Sequence, residues 1–256
     1  MTDKAPAARP TLSVVVPCYN EEGNVDQFSA TLLPVLEALR PEYSNIDLLL
    51  VDDGSSDRTL EELKSLEGRG DGIDVRAVTH GVNKGLGAAI RTGFRETRGD
   101  IVVTTDSDGT YPFSEIPKLL SYLTPEIGIV TASPYHPDGG IENVPPHRLV
   151  LSRGASVLYR VLVDRKIHTY TALFRAHRRE VLDAITFESN DFLACAEILV
   201  NARLAGFEIA EMPAILRSRA VGTSKARLAR ILRSHVRFQG QVLARRMGLG
   251  APISRK

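Results

Sequence analysis

The stretch Ile101-Val102-Val103-Thr104-Thr105-Asp106-Ser107-Asp108-Gly109 decides how this chain is read. Its first half is a β-branched apolar run of strand length, which predicts a buried strand over 101–105. Its second half places two carboxylates, Asp106 and Asp108, just past the strand's C-terminal end, where open α/β sheets bind their ligands. Carboxylates one residue apart at such a junction can converge on one hard divalent cation. Mg2+ and Mn2+ prefer oxygen ligands and share them readily with a diphosphate. The plain alternative is an Asx-turn in which both aspartates cap the chain or face solvent.

The sequence on either side repeats the pattern. Apolar runs over 12–16, 46–51, 75–78 and 127–131 predict strands, and helical spacing predicts helices over 24–39, 59–66, 84–97 and 114–123. Asp57 or Ser56 is the expected N-cap of the second helix. Strict alternation of short apolar strands with helices predicts an α/β class with a doubly wound, mostly parallel sheet. The polar clusters Tyr19-Asn20-Glu21, Asp52-Asp53 and Asp106-Ser107-Asp108 then fall on one sheet edge, as a nucleotide-type site requires. Residues 133–146, rich in Pro and Gly, read as a mobile loop. Helices are expected over 148–163, 178–184 and 192–204, and strands over 171–174 and 209–216, the last interrupted at Pro213. A basic helix over 225–246 carries Leu228, Ile231, Leu232, His235, Val242 and Leu243 on one side.

With 256 residues, 32 basic and 31 acidic side chains, the body is that of a soluble globular protein. The charge is uneven: no acidic residue follows Glu211, while arginines accumulate, so an anionic partner is expected at the C-terminal end. Cys18 and Cys195 lack metal spacing and read as buried reduced thiols. No leader and no apolar run of membrane-spanning length is present, which predicts a cytoplasmic protein free to touch a membrane surface. Nucleic-acid binding is not expected, because the basic helix lacks interleaved aromatics.

Val14-Val15-Val16-Pro17-Cys18-Tyr19-Asn20-Glu21 runs from strand into polar turn. Val51-Asp52-Asp53-Gly54-Ser55, Asn83-Lys84-Gly85-Leu86-Gly87 and Asp106-Ser107-Asp108 follow in order. This ordered set resembles the family 2 glycosyltransferases, with their GT-A nucleotide-sugar-binding fold, over roughly residues 12–225. Within the family the chain looks most like the dolichol- and polyprenyl-phosphate mannosyltransferases and glucosyltransferases. The resemblance implies an inverting transfer from a nucleotide-diphosphate sugar, GDP-mannose or UDP-glucose, to a polyprenyl phosphate. It implies that Pro17, Tyr19, Glu21, Val51 and Asp53 hold the nucleoside, and that Asp106, Ser107 and Asp108 hold Mg2+ or Mn2+ and the diphosphate. Lys84, Gly85 and Thr110 stand beside that donor site. The glycine turn either lets the backbone approach the donor or meets a packing need at a helix start.

In the second half, Arg148 and Ser152 lie one helical turn apart and match the branch's acceptor-phosphate pair. Arg219-Ala220-Val221-Gly222-Thr223-Ser224-Lys225 matches a segment that closes over donor diphosphate and acceptor phosphate, with Arg219 and Lys225 as phosphate ligands. The sequence departs from the branch at Thr110, Pro134 and Ser218, so one expected phosphate-binding arginine has no counterpart. A phosphate acceptor needs no strong base, whereas a hydroxyl acceptor does. The candidate base is Asp191, with Glu197 behind it, and the alternative for Asp191 is a helix N-cap. A non-catalytic nucleotide-sugar-binding protein is the reading of another class. The expected organisation is a disordered tail over 1–10, a catalytic domain over 11–224 and a basic helix and tail over 225–256. The catalytic domain divides into a donor half, 11–132, and an acceptor half, 133–224. The basic helix either lies on anionic lipid or packs its apolar stripe on the domain.

Overall fold

The computed structural model describes residues 8–144, 146–217 and 228–249. The first half supplies strands β1 (Thr11–Cys18), β2 (Asn45–Asp52), β3 (Asp74–Thr79) and β4 (Ile101–Thr104). All pair in parallel, in the order β3-β2-β1-β4. They alternate with helices α1 (Val25–Leu39), α2 (Thr59–Lys64) and α3 (Leu86–Glu96). Then come a 3-10 turn (Phe113–Glu115), α4 (Ile116–Ser121), β5 (Ile127–Ser133), β6 (Gly140–Glu142) and α5 (Pro146–Leu162). The chain continues through β7 (Arg175–Arg178), α6 (Arg179–Ala184), α7 (Leu193–Leu204), β8 (Glu208–Pro213), β9 (Ile215–Arg217) and α8 (Leu228–Arg246).

The main sheet has seven strands in the order β3-β2-β1-β4-β7-β5-β8. Both faces are covered, which is why its strands are continuous apolar runs. Val14, Val16, Leu48, Leu50 and Val103 point to a core shared with Leu32 and Leu36 of α1. Their neighbours Val15, Leu49, Val51 and Val102 point to the opposite face, with Ala89 of α3. Helix α7 is buried from Leu193 to Ala202 on every side, so it shows no polar face and forms the centre of the second core with Ile129.

Three expectations are corrected. The strand expected over 171–174 lies at β7, and it runs antiparallel to both neighbours, β4 and β5. Residues 171–174 instead approach the site irregularly, held by Thr104 Oγ1 donating to the Leu173 carbonyl at 2.6 Å. The segment 133–146 is more than a loop: β6 pairs in parallel with β9 to form a two-stranded ribbon. The run over 209–216 is interrupted at Pro213, as expected, and its two parts belong to different sheets. On α8, His235, Phe238, Gln239 and Val242 face inward, but Leu232 and Leu243 are 47% and 44% exposed. Helix α8 packs beside α5 through Tyr159 Oη and His235 Nδ1 at 3.0 Å and through Arg246 donating to the Leu162 carbonyl at 2.7 Å. Residues 225–227 lie outside the described residues. Among the described residues no helix is long and apolar enough to cross a membrane.

Candidate active site

The register pairs Cys18 with Asp52 and Val15 with Thr104, so β1, β2 and β4 end at one edge and release their polar turns together. These turns bond to one another. The Asp53 amide donates to the Cys18 carbonyl at 2.9 Å. Asn20 adopts φ 55°, a left-handed geometry that asparagine tolerates. Its amide donates to Ser55 Oγ at 3.0 Å, while its Oδ1 accepts from the Ser56 amide at 2.9 Å. The Glu21 amide donates to Thr59 Oγ1 at 2.7 Å, and Glu21 Oε1 accepts from Ser107 Oγ at 2.9 Å. Thus the first and third motifs meet through a side chain. Asp108 Oδ1 accepts from the Thr110 amide at 3.0 Å and from Thr110 Oγ1 at 2.5 Å.

Pro17, Tyr19, Glu21, Asp53, Gly85, Asp106, Ser107 and Asp108, expected together from sequence, line one cleft of about 190 Å³. Leu86, Leu173 and Phe192 complete its apolar wall. Sequence reasoning gave these three no site role, because single apolar residues at the start of a helix or in a loop carry no local signal. His80 was missed too, although it follows a strand end directly. Its Nδ1 lies 2.8 Å from Asp53 Oδ1 and its Nε2 lies 2.9 Å from Thr92 Oγ1.

Other expected residues stand differently. Val51 is fully buried in the apolar core, so its side chain is out of reach of a ligand. Asp53 accepts from the Lys84 amide at 3.0 Å and the Gly85 amide at 2.8 Å, so its carboxylate also anchors the glycine turn. Lys84 lines a neighbouring hollow with Asn190, Asp191 and Ile231 rather than the cleft. The glycines meet a packing need. A Cβ on Gly85, at φ +98°, would lie 2.2 Å from the Asn190 carbonyl oxygen, and one on Gly87 would lie 2.1 Å from that of Ser189. Asp191 is held at the start of α7: Oδ1 accepts from the Leu193 amide at 2.8 Å, and Oδ2 accepts from Ser234 Oγ of α8 at 2.9 Å. It does not line the cleft holding Asp106. Glu197 is likewise occupied, accepting from the Glu188 and Ser189 amides at 3.1 and 3.0 Å.

A second cleft, of about 210 Å³, adjoins the first and shares Asp106, Leu86, Leu173 and Phe192 with it. Ser152, Thr110, Thr171, Tyr135 and Arg217 are on its walls. Ser152 Oγ lies 2.6 Å from Thr171 Oγ1. Arg148 lies in the first turn of α5. Arg219 and Lys225 lie outside the described residues.

Behind both clefts Arg175 is buried, donating to Thr131 Oγ1 at 3.1 Å, to the Tyr170 carbonyl at 2.8 Å and to the Cys195 carbonyl. Burial lowers its pKa to about 10, which leaves it charged at neutral pH. Burial raises the Cys195 thiol to about 11, with the Arg175 charge lowering it and that of Asp106 raising it. Cys18 is pushed well up, first by burial and then by Glu21 and Asp52. Both thiols therefore stay protonated, as buried structural cysteines do. Tyr111 is raised by burial and then by the charge of Asp106.

Among the described residues no group of three or more His, Cys, Asp or Glu side chains comes together as a metal cage. Asp106 and Asp108 on one cleft wall are an all-oxygen, two-carboxylate set. That set fits a cation that completes its shell with water and phosphate oxygens.

A mostly parallel sheet flanked by helices, with its polar turns gathered at the strands' C-terminal edge, defines the GT-A architecture of nucleotide-sugar transferases. The chain belongs to Glycosyl transferase family 2, whose family model matches residues 13–186. It is 34% identical over 223 residues to polyprenol monophosphomannose synthase of Mycolicibacterium smegmatis, covering 83% of this chain and 79% of that one. It is 31% identical over 216 residues to dolichol-phosphate mannosyltransferase of Pyrococcus furiosus. That match covers 84% of this chain, which spans only 58% of the archaeal protein. In fold it is similar to glucosyl-3-phosphoglycerate synthase of Mycobacterium tuberculosis, crystallised with Mn2+ and UDP-glucose. The TM-score is 0.66 at 23% identity, over 96% of this chain and 86% of the other.

Proposed function

We propose that this enzyme transfers a hexose, with inversion, from a nucleotide-diphosphate sugar to the phosphate of a polyprenyl lipid. The observation that carries this reading is the meeting of two clefts at Asp106, one lined by the donor motifs and the other by Ser152 of α5. The named activities of the mycobacterial and archaeal relatives support the acceptor class and favour mannose over glucose as the sugar, and GDP-mannose is the donor proposed.

In this reading Tyr19 stacks on the base, Glu21 accepts from the nucleoside, and Asp106, Ser107 and Asp108 hold Mg2+ or Mn2+ and the diphosphate. The cation, when bound, supplies stabilisation of the negative charge that builds on the departing diphosphate. Arg219 and Lys225 hold phosphate oxygens from the closing segment, and Arg148 and Ser152 hold the acceptor phosphate. That phosphate is already ionised near neutral pH, so positioning and charge neutralisation carry the rate without a general base. The ties of Asp191 to Leu193 and Ser234 speak for this mechanism over a hydroxyl acceptor.

The enzyme works as a peripheral protein at the cytoplasmic face of a membrane. Support comes from two helices that carry apolar side chains outward. Val150, Val157 and Val161 of α5 and Leu232, Val236 and Leu243 of α8 are 44–68% exposed. Their spacings put each set on one helix stripe. Neither helix contains an acidic residue, and Arg233, Arg237, Arg245 and Arg246 belong to α8. Apolar stripes on wholly basic helices complement an anionic bilayer. Residues 11–132 form the donor half, 133–224 the acceptor half and 225–256 the basic end.

The test is nucleotide release from GDP-mannose and UDP-glucose, with and without polyprenyl phosphate, in Mn2+, in Mg2+ and in chelator. Metal-dependent release only with lipid phosphate is the expected result. Metal-dependent donor binding with no lipid-stimulated release overturns the acceptor and turns the search to hydroxyl acceptors.

A further inference from the structure

Arg217 ends β9, and among the described residues it is the sole Lys or Arg lining the second cleft, where Asp106, Thr110 and Ser152 also lie. Its amide donates to the Thr110 carbonyl at 3.1 Å, and Thr110 in turn holds Asp108. Two bonded steps therefore set the Arg217 backbone in register with the aspartate pair. The guanidinium is held loosely: its Nε donates to Glu142 Oε2 at 3.3 Å, and the two side chains are 52% and 51% exposed. An ion pair this exposed contributes little. A phosphate offers the guanidinium fork two parallel, shorter bonds. Both partners sit on the same ribbon, where Glu142 of β6 pairs with Arg217 of β9.

We propose that Arg217 is a ligand of the acceptor phosphate, with Glu142 as its resting counter-ion, which yields when the phosphate arrives. The pair then acts as a selectivity device. An anionic head group replaces the carboxylate on the guanidinium, whereas a neutral alcohol must enter beside an intact pair and gains nothing from it. This assignment rests on the phosphate-acceptor reading of the second cleft, and it deepens that reading by naming a residue and a displaced partner.

The experiment measures binding rather than turnover, so the two readings fail separately. The full chain is titrated with citronellyl phosphate, a short soluble isoprenyl phosphate, and with citronellol and a nucleotide sugar. Arg217→Ala is expected to weaken citronellyl phosphate by about tenfold or more, the loss typical of a charged hydrogen bond. Its nucleotide-sugar affinity and melting temperature should stay those of the parent. Arg217→Lys, which keeps the charge and loses the fork, should fall between. Glu142→Gln removes the competitor and should tighten citronellyl phosphate by about threefold. Citronellol should bind all four proteins alike.

Three results overturn the assignment. The first is Arg217→Ala affinity within twofold of the parent. The second is a Glu142→Gln loss equal to that of Arg217→Ala, which makes the pair a structural strut. The third is no binding of citronellyl phosphate to the parent while the nucleotide sugar still binds. Failure of the proposed function shows elsewhere, as absent lipid-stimulated nucleotide release.

Discussion

Asp108 and the two glycines of the donor turn show how single residues divide between chemistry and packing. Thr110 fixes one oxygen of Asp108 through two bonds, so the carboxylate is oriented before any ligand arrives. On the proposed metal-binding role, Asp108→Asn should lower metal-dependent nucleotide release by roughly a hundredfold or more, because that role rests on its charge. Thr110→Ala should cause a smaller loss, read in the same assay as a higher metal requirement. Gly87 shows a packing need. A Cβ there would meet Ser189 O at 2.1 Å and Ala194 Cβ at 2.8 Å, neither the end of a flexible chain. Gly87→Ala should therefore destabilise the fold by about 1–3 kcal/mol, measured by urea denaturation.

At the scale of elements, one loop over 187–190 joins the donor turn to the buried helix α7. Glu197 holds it from inside, Arg91 holds the Phe187 and Ser189 carbonyls at 3.2 Å each, and the Gly87 amide donates to Asn190 O at 2.9 Å. Asp191 then ties this loop to α8. Asp191→Asn should leave transfer within a few-fold of the parent, while Asp191→Ala should speed hydrogen exchange in the first turns of α7 and α8. A collapse of transfer in Asp191→Asn with folding intact would reinstate it as a base. The outward stripes of α5 and α8 belong to this scale too. Val157→Glu or Val236→Glu should weaken binding to anionic liposomes by about tenfold each, the equivalent of one buried valine. Nucleotide release with a short soluble acceptor should persist.

For the molecule as a whole, two buried histidines contribute to the response to acid at about pH 6. His177 lies at the centre of β7, 1% exposed, and burial, then Arg175, then Arg179 hold its pKa well below the ordinary value. His235, between α8 and α5, is lowered by burial. In the unfolded chain both take up protons near pH 6.5. In the fold both titrate at lower pH, so below that pH the unfolded state binds more protons and stability falls as pH drops. Above about pH 7 their contribution is complete. The urea midpoint should be lower at pH 5.5 than at pH 7.5, and His235→Asn should flatten that difference. An equal drop in the variant would remove His235 from the account.

The sequence alone determined β1, β2 and β4, the edge at which they end, and the gathering of Tyr19, Glu21, Asp53, Asp106 and Asp108. Each of those signals is local: an apolar run of strand length followed within a few residues by polar side chains. Tertiary structure alone decided the rest. Strand β7 runs antiparallel between β4 and β5, and Arg175 at its start reaches Thr131, Tyr170 and Cys195 at once, an arrangement no local pattern expresses. The ribbon of β6 and β9 joins three residues to three others more than seventy positions away, too short for any periodicity to mark. Val51 and Asp53 stand two apart, yet one is enclosed in the core and the other opens on the cleft, because β2 ends at Asp52. The bonds of Asp191 to Leu193 and Ser234, and the close approach of Ser189 and Ala194 to Gly87, likewise depend on what the fold brings opposite them. Contacts across such distances follow from packing, and a linear sequence does not record them.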